Sequence, residues 1–457
     1  MIKESFRKYL EDAIGHENAL VALSAFEEPA SVSVRYNPFK KTDVLEGSSV
    51  RWSPHGLLLD QRPIFTLDPS FHAGAYYVQD SSSMFVGDVF RKLLSDLALP
   101  HERPLRVLDL CAAPGGKTTD LAASLREVCG DDFILVANEV MKQRAGILAS
   151  NVALWGDPNV VVTSDDPKAF SALTGYFDLI LADVPCSGEG MFRKDEQACD
   201  QWSEDNVALC EGRQRRIIAD VWPALADSGL LIYSTCTFNR LENDGNVRWI
   251  AESLGGTPVY DHPQVPYDGV IATGYGFSLV PGFVKGEGQY CSAVRKIGEA
   301  HHVQEFRQAK GRNAKDKGIQ IPASLKDLFT VDVNFRQRGE TIIALPASLG
   351  HDIALLESGL NVIAAGCAAG TVKGKDFIPD ADLALSIVLD EGAFPKIDVD
   401  RDTALAYLHR DAIFLNDAPK GFVLVSYRGL PLGFVKNLGN RCNNLYPQSR
   451  RIRMNIK

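Results

Sequence analysis

The chain has 457 residues, of which 45% are hydrophobic and 23% are charged, and its formal net charge is −10 at pH 7. These values are typical of a globular protein, and the length predicts about three domains. The negative charge argues against indiscriminate nucleic-acid binding over the whole surface, so such binding would need a local basic patch. No uncharged apolar run reaches the roughly 18 residues of a membrane span, and residues 1–4 begin no signal peptide. We therefore expect a cytoplasmic protein that does not bind membranes.

The cysteines predict neither disulfides nor a metal site. There are nine of them, an odd number, and they form no C-x-x-C pair. We expect reduced thiols and no bound metal.

The first 98 residues have a pattern of their own. A polar helix begins near Phe6, and Ala30 to Pro38 alternates like a half-exposed strand that ends at a proline. The polar loop from Tyr77 to Met84 allows two interpretations, the cap of a helix over residues 84–97 or a part of a binding site.

The central region is organised around a strand, a glycine turn and the start of a helix between Arg106 and Thr119. In a doubly wound sheet, ligands bind beyond the carboxyl ends of the strands, where glycine lets the backbone approach and the helix N-terminus offers free N–H groups. The turn lacks the first glycine of both the dinucleotide fingerprint and the phosphate loop. It predicts a cofactor pocket, with an ordinary strand-to-helix turn as the alternative.

The strands that follow also end in polar residues. One ends at Glu139, where a carboxylate can bind the two hydroxyls of a ribose, and the next is followed by the doublet Asp165–Asp166. Two more end at Asp183 and Cys236, and the last predicted strand of the sheet covers residues 290–296. Strands that alternate with helical patterns and carry polar tips predict one active-site edge of a parallel sheet.

Two thiols lie at these strand tips. Cys186 follows a proline three residues after Asp183, and Cys236 follows Thr235. A thiolate is a good nucleophile toward C6 of a pyrimidine, because attack there makes C5 electron-rich enough to accept an alkyl group. That chemistry needs an acid at the Watson–Crick edge of the base, and Asp183 is near enough in sequence to supply it.

The C-terminal third begins with a basic, polar segment over residues 307–317 that predicts a linker. Two smaller units follow, and the second contains a helix from Asp400 and a hairpin over residues 421–435. Residues 421–457 contain seven Lys or Arg and no acid. Such a stretch is the electrostatic footprint of a polyanion-binding surface, and a solvated tail is the alternative.

Several of these stretches closely resemble the RNA 5-methylcytosine methyltransferases of the Nol/Nop/Sun family. They are residues 108–119, residues 183–194, and residues 233–238 with Glu242 and Asn243. Residues 35–38 and 77–84 match the family's N-terminal segments, and the basic C-terminus resembles the PUA-like domain of the bacterial ribosomal-RNA methyltransferase F subfamily. One departure is Val184, where the family commonly has Ala. The resemblance covers nearly the whole chain and is looser after residue 300.

The resemblance implies an α/β fold, a Rossmann-like S-adenosylmethionine-dependent methyltransferase sheet with a small N-terminal domain and a C-terminal PUA-like RNA-binding region. The predicted segments are an N-terminal RNA-recognition or accessory domain over residues 1–98, the methyltransferase domain over 99–298, a basic linker over 299–317, a first C-terminal domain over 318–385 and the PUA-like domain over 386–457.

The resemblance also implies roles for individual residues. In that family the Cys of the Thr-Cys motif, here Cys236, is the nucleophile, and the Cys after Pro, here Cys186, assists release by helping to remove the C5 proton. Asp183 would hydrogen-bond the cytosine and stabilise its protonated form, and Lys117 would orient Asp183 and the base. These four are the implied catalytic residues.

The implied cofactor is S-adenosyl-L-methionine. The glycine turn would hold its methionine end, Glu139 its ribose and the acid after the third strand its adenine, a role for which alignment favours Asp166 and leaves Asp165 open. The cofactor-binding residues that the resemblance implies are Cys111, Ala112, Ala113, Pro114, Gly115, Gly116, Lys117, Glu139, Asp166 and Asp183.

The implied reaction is methylation of cytosine C5 in RNA through a covalent Cys–C6 adduct. Small-subunit ribosomal RNA, free or in the assembled subunit, is the expected substrate, and transfer RNA is the alternative. We expect a monomer.

Other classes of protein fit the sequence less well. A DNA cytosine methyltransferase would use its Pro-Cys as the nucleophile, normally followed by Gln, whereas Ser187 follows Cys186 here. An amino-group methyltransferase would carry a Pro-Pro-aromatic motif at the fourth strand. A non-catalytic RNA-binding or ribosome-assembly factor would explain the basic tail but not the thiols and acids on one edge.

Overall fold

A computed structural model describes residues 2–97, 99–100, 102–298, 322–373 and 376–456. These residues form one ten-stranded sheet and three four-stranded sheets. The predicted linker over residues 299–317 lies outside the described residues.

The N-terminal region contains two helices followed by an antiparallel sheet of order β2-β3-β1-β4. Its elements are α1 (Glu4–Ile14), α2 (His16–Ala25), β1 (Ser33–Tyr36), β2 (Gly47–Ser49), β3 (Gly56–Leu59), α3 (Pro69–His72) and β4 (Tyr76–Val78). Helix α1 buries Phe6, Leu10 and Ile14, which recur every four residues and so share one face. This face packs against Trp202 and Phe238 of the central region, which joins the N-terminal helices to it.

The central region follows the predicted alternation of strands and helices. Its elements are α4 (Phe85–Ser95), β5 (Leu105–Asp109), α5 (Gly116–Cys129), β6 (Phe133–Asn138), α6 (Lys142–Trp155), β7 (Val160–Thr163), β8 (Phe177–Asp183), α7 (Glu196–Gln201), α8 (Glu204–Val221), β9 (Leu225–Thr235), α9 (Asp244–Leu254), β10 (Gly256–Pro258), β11 (Val270–Ala272), β12 (Gly276–Leu279) and β13 (Gln289–Lys296). None of the helices within the described ranges is long and apolar enough to cross a membrane.

Strands β5 to β9 pair in parallel in the order β9-β8-β5-β6-β7, and β13 joins β9 antiparallel. β5 and β6 are buried along their whole length, as expected for strands covered by helices on both faces. The carboxyl ends of β5 to β9 therefore meet at one edge of the sheet. The predicted α/β fold with a Rossmann-like methyltransferase sheet is confirmed.

The C-terminal region begins with β14 (Val333–Arg338), β15 (Thr341–Pro346), α10 (Gly350–Gly359), β16 (Val362–Ala365), β17 (Cys367–Lys373), β18 (Asp376–Pro379) and α11 (Ala381–Leu385). It ends with β19 (Lys396–Asp398), α12 (Arg401–His409), β20 (Gly421–Tyr427), β21 (Leu430–Asn437) and β22 (Cys442–Asn444). The predicted hairpin is confirmed as β20 and β21, and the side chain of Asp400 caps α12 by accepting the Thr403 N–H.

One strand of the C-terminal region extends the central sheet, which the sequence analysis did not predict. β16 pairs antiparallel with β7, so the prediction that residues 290–296 form the last strand of the sheet is wrong. The four residues of β16 are half-buried and carry no alternating pattern. They cover β7, whose backbone would otherwise be an unpaired edge.

The loop over residues 77–84 does not cap the following helix with a side chain. The Ser81 hydroxyl instead donates to the Lys285 carbonyl. The Asp80 carboxylate accepts the Glu287 N–H at 3.2 Å and the Lys194 ammonium at 3.1 Å. The Asp80 carboxylate also accepts the Ser82 N–H at 3.0 Å, in the turn that leads into α4. The loop is thus tied to residues 285–287, to the segment after Cys186 and to the start of the helix, and a role in a binding site remains a prediction.

A buried lysine lies where the N-terminal region meets α6. The Lys40 ammonium donates to the carbonyls of Ala73 at 2.9 Å and Leu154 at 2.7 Å. Burial lowers the pKa of Lys40 from 10.5 to about 7.

This shift predicts a pH dependence of stability. Between pH 7 and 10.5 the unfolded chain binds a proton at Lys40 that the folded chain does not, so this group makes the free energy of unfolding rise with pH in that window. A Lys40→Met variant should lose that contribution. Denaturant titrations of both proteins across the window test it, and parallel pH profiles would contradict it.

Candidate active site

The glycine turn is fixed from three sides. Gly115 has a φ of +114°, a conformation that favours glycine, and α5 begins at the next residue. The Asn151 amide donates to the Pro114 carbonyl at 2.8 Å, and the Arg144 guanidinium donates to the Ala113 carbonyl at 2.8 Å. A Cβ on Gly116 would lie 3.3 Å from the Tyr77 ring, so a larger residue would crowd the N-terminal region. The turn is therefore preformed.

Asn138, at the end of β6, connects the turn with the loop after β7. Its amide donates to the carbonyls of Leu110 at 3.1 Å and Asp165 at 3.0 Å, and its side-chain oxygen accepts the Asp165 N–H at 3.0 Å. The sequence analysis did not assign Asn138 to the site. Its one available signal was its place immediately before Glu139, as a polar residue at the tip of an apolar strand.

Glu139 lies beside the turn and is 4% exposed. Its carboxylate accepts the Met141 N–H at 2.9 Å and lies 3.2 Å from the Arg144 guanidinium. Arg144 thus contacts both the turn and this acid, although the sequence analysis did not single it out.

The two acids of the doublet have different surroundings. Asp165 accepts the N–H of Asn361, immediately before β16, at 2.8 Å. Asp166 accepts the Lys168 N–H at 3.1 Å at the start of a short 3-10 helix, and its side chain is 51% exposed. Asp166 as the adenine-binding acid, and Asp165 as the alternative, remain predictions.

Asp109, at the end of β5, is fully buried beneath the turn. One of its oxygens accepts the Thr118 hydroxyl at 2.7 Å, and the other has no hydrogen-bond partner among the described residues. Burial raises its pKa to about 7. A cation placed next to this carboxylate would stabilise its ionised form.

Asp183 and Lys117 form an ion pair at the tip of β8, with 2.9 Å between the Lys117 nitrogen and an Asp183 oxygen. The Ser234 hydroxyl donates to the other oxygen at 2.7 Å. Burial alone would lower the pKa of Lys117, but Asp183 raises it above its ordinary value. Lys117 is therefore a cation held against Asp183.

The two predicted thiols are in contact. The sulfur atoms of Cys186 and Cys236 lie 2.9 Å apart, on the segments that follow β8 and β9. The hydrogen bond with Cys236 and burial together raise the pKa of Cys186 well above its ordinary value. The thiol form of Cys186 is therefore favoured, and a hydrogen bond joins the two sulfur atoms. Burial and the nearby carboxylates also raise the pKa of Cys111, so that thiol stays protonated.

The basic C-terminal stretch is partly neutralised by ion pairs. Arg450 pairs with Asp382 at 2.6 Å, Arg428 pairs with Asp43 at 2.6 Å, and Lys436 pairs with Asp376 at 3.2 Å. Within the part of the chain that the structure describes, no ion pair engages three further arginines of the stretch, all of them exposed: Arg441, Arg451 and Arg453.

Three family models match the chain. The 16S rRNA methyltransferase RsmB/F model matches residues 97–295, the N-terminal domain of 16S rRNA methyltransferase RsmF matches residues 2–81, and the methyltransferase RsmF PUA domain matches residues 394–452.

The chain is also similar to individual proteins over most of its length. It is 29% identical to ribosomal RNA small subunit methyltransferase F of Enterobacter sp. (strain 638), over 93% of this chain and 91% of that protein. It is 31% identical to the protein of the same name from Shewanella sp. (strain MR-7), over 82% and 79%. A crystal structure of a methyltransferase homolog protein from Pyrococcus horikoshii, 24% identical, has the same fold with a TM-score of 0.53, over 65% of this chain and 95% of that one. The chain therefore belongs to the ribosomal RNA small subunit methyltransferase F family.

Proposed function

We propose that this protein methylates C5 of cytosine in small-subunit ribosomal RNA, with S-adenosylmethionine as the methyl donor and a covalent bond between Cys236 and C6 as the intermediate. The contact between Cys186 and Cys236, 2.9 Å apart beside the Asp183–Lys117 pair, carries the proposal. The names of the similar proteins support the choice of RNA.

The residues at the carboxyl ends of strands β5 to β9 fit S-adenosylmethionine as the cofactor. When bound, S-adenosylmethionine supplies a methyl group carried on a positively charged sulfur. Asp109, Glu139 and Asp183 place three carboxylates around the turn, and one buried oxygen of Asp109 lacks a hydrogen-bond partner within the described ranges. A positively charged ligand suits such a site. Glu139 would accept the ribose hydroxyls, and the turn from Cys111 to Lys117 would hold the methionine end.

The thiols would act in sequence on the base. Cys236 as thiolate forms a bond to C6, and the C5–C6 π electrons move to C5 while Asp183 stabilises the protonated base and Lys117 orients Asp183. After C5 carries the methyl group, its proton is removed with the help of Cys186. The C5–C6 double bond then re-forms, the bond from sulfur to C6 breaks, and Cys236 leaves as thiolate.

The division of labour between the thiols predicts two different mutant phenotypes. Cys236→Ala cannot form the adduct and should show no measurable methyl transfer. Cys186→Ala should still attack and methylate but release slowly. On a denaturing gel with RNA and S-adenosylmethionine, Cys186→Ala should give a slow-migrating protein–RNA adduct and Cys236→Ala none.

Two outcomes would contradict this assignment. The opposite gel pattern would make Cys186 the nucleophile, as in DNA cytosine methyltransferases. Normal product from both variants without any adduct would end the covalent mechanism.

A second prediction concerns the ribose. Glu139→Ala removes a charged hydrogen-bond acceptor worth roughly 1.5–3 kcal/mol, so S-adenosylmethionine should bind about tenfold more weakly or worse. Calorimetry measures this, with Glu127→Ala, a glutamate at the far end of α5, as the control. Asp165→Asn and Asp166→Asn in the same titration identify the acid that binds adenine. Unchanged affinity of folded Glu139→Ala would remove Glu139 from the site.

A third prediction concerns RNA binding through Arg441, Arg451 and Arg453. Replacing all three by Ala should weaken RNA binding and lower the slope of its salt dependence by about one for each phosphate that the variant no longer binds. Affinity for S-adenosylmethionine should not change. Arg428→Ala, which removes a guanidinium already paired with Asp43, is the control and should have a smaller effect. An unchanged salt slope in the triple variant would favour the solvated tail.

A further inference from the structure

Two buried glutamates lie directly behind the thiols and have no part in the chemistry proposed above. Glu189 follows Cys186 by three residues and is 1% exposed, and Glu242 follows Cys236 by six residues and is fully buried. Within the described residues, neither has an ion-pair partner. Buried carboxylates without a cation are costly, so their hydrogen bonds need to be accounted for.

Each glutamate binds the backbone of the opposite thiol segment. The Glu189 carboxylate accepts the N–H groups of Phe238 at 2.7 Å and Asn239 at 3.0 Å, on the segment after Cys236. The Glu242 carboxylate accepts the N–H of Ser187, the residue after Cys186, at 3.0 Å. The two segments are therefore cross-braced, and a displacement of one relative to the other would break hydrogen bonds to these side chains.

Further contacts reinforce the brace. The Asn239 amide donates to Glu189 at 2.9 Å and to Glu242 at 2.8 Å, so one side chain joins both carboxylates. The Gly190 N–H donates to the Cys236 carbonyl at 2.7 Å. A Cβ on Gly190 would lie 2.7 Å from that carbonyl oxygen, which leaves no room for a side chain there.

We infer that Glu189 and Glu242 are positioning residues that hold the Cys186 and Cys236 sulfurs in contact. If the proposed function is correct, this contact lets the second thiol act on the adduct that the first has formed. A displacement of about 1 Å at a reacting group can cost about 100-fold in rate, so the brace would matter most for completion of the reaction.

The hydrogen bonds of Glu189 and Glu242, which form the brace, need side chains that only accept. Among the described residues, the hydrogen-bond partners of both side-chain carboxyl groups are N–H groups: backbone amides, the Trp202 indole and the side-chain amides of Asn239 and Gln214. A Glu→Gln change keeps the size of the side chain but turns an NH2 group toward one of these donors. Glu189→Gln and Glu242→Gln should therefore loosen the segments without leaving a cavity.

The test measures thiol proximity without RNA or cofactor. Phenylarsine oxide forms two arsenic–sulfur bonds with a pair of adjacent thiols and releases one water. After a wash with a monothiol, the intact mass of the unmodified protein should show one bound arsenical. The Cys186→Ser variant should show none, and any arsenical that it retains measures binding to the other cysteines. Both Gln variants should lose most of this bridging.

The same variants should show a characteristic split in kinetics. Methylation turnover should fall about 10- to 100-fold, and the KM for RNA and the affinity for S-adenosylmethionine should change little, because the carboxyl groups of Glu189 and Glu242 are buried and bonded to N–H groups of the protein. Asp352→Asn is the matched control. It alters a carboxylate, 3% exposed, that pairs with Arg106 and accepts the Tyr176 hydroxyl at 2.6 Å, so it should lower stability and leave bridging intact.

Bridging and turnover like those of the unmodified protein in folded Glu189→Gln and Glu242→Gln would overturn the inference. If either Gln variant does not fold, Asn239→Ala carries the test, since it removes the joining amide and leaves both carboxylates in place. Normal bridging and turnover there would likewise overturn it. A failure of the proposed function would give a different result. In that case Cys236→Ala would still methylate RNA, whether or not phenylarsine oxide bridges the thiols of the unmodified protein.

Discussion

The site depends on two sulfur atoms held in contact by segments that leave different strands. Cys186 and Cys236 are 50 residues apart, and the parallel pairing of β8 with β9 places the segments side by side. Pairing alone fixes the strand ends, not the residues beyond them. The hydrogen bonds of Glu189 and Glu242 to the opposite backbone supply that further constraint. Because charged acceptors bind N–H groups more strongly than neutral ones, buried carboxylates suit this task despite their desolvation cost.

The charges of the edge divide it into two parts that meet at Lys117. On one side lie the glycine turn, Asp109 and Glu139, a negative environment suited to a cationic ligand. On the other lie the thiols, where the cytosine would bind under the proposed function, and Asp183 lies near both parts. Lys117 pairs with Asp183, so under the proposed function one ammonium would link the cofactor side with the base side.

The sequence predicted the residues whose pattern is local and missed those whose role arises from tertiary contacts. The apolar strands with polar tips predicted the sheet and its edge, and the motifs led directly to Lys117, Asp183 and both cysteines. The antiparallel addition of β16 could not be predicted, because four half-buried residues carry no periodic signal and their partner is about 200 residues away. Asn138 and Glu189 were likewise not assigned, since their importance lies in which backbone groups they bind. Composition alone also overstated the positive charge that residues 421–457 have available for RNA, because Arg428, Lys436 and Arg450 are paired with acids distant in sequence.

The central claim is that Cys236 forms the covalent bond to cytosine. RNA of the small ribosomal subunit, transcribed with 5-fluorocytidine in place of cytidine, tests it most directly on the unmodified protein. Fluorine at C5 cannot be removed as a proton is, so the adduct cannot resolve and persists after methyl transfer. The protein reacts with this RNA in the presence of S-adenosylmethionine and is then digested with protease and nuclease. Mass spectrometry should find the modified nucleotide on the peptide that contains Cys236. A nucleotide on the peptide that contains Cys186 would contradict the account. So would the absence of any covalent product, if the protein methylates the same RNA without fluorine.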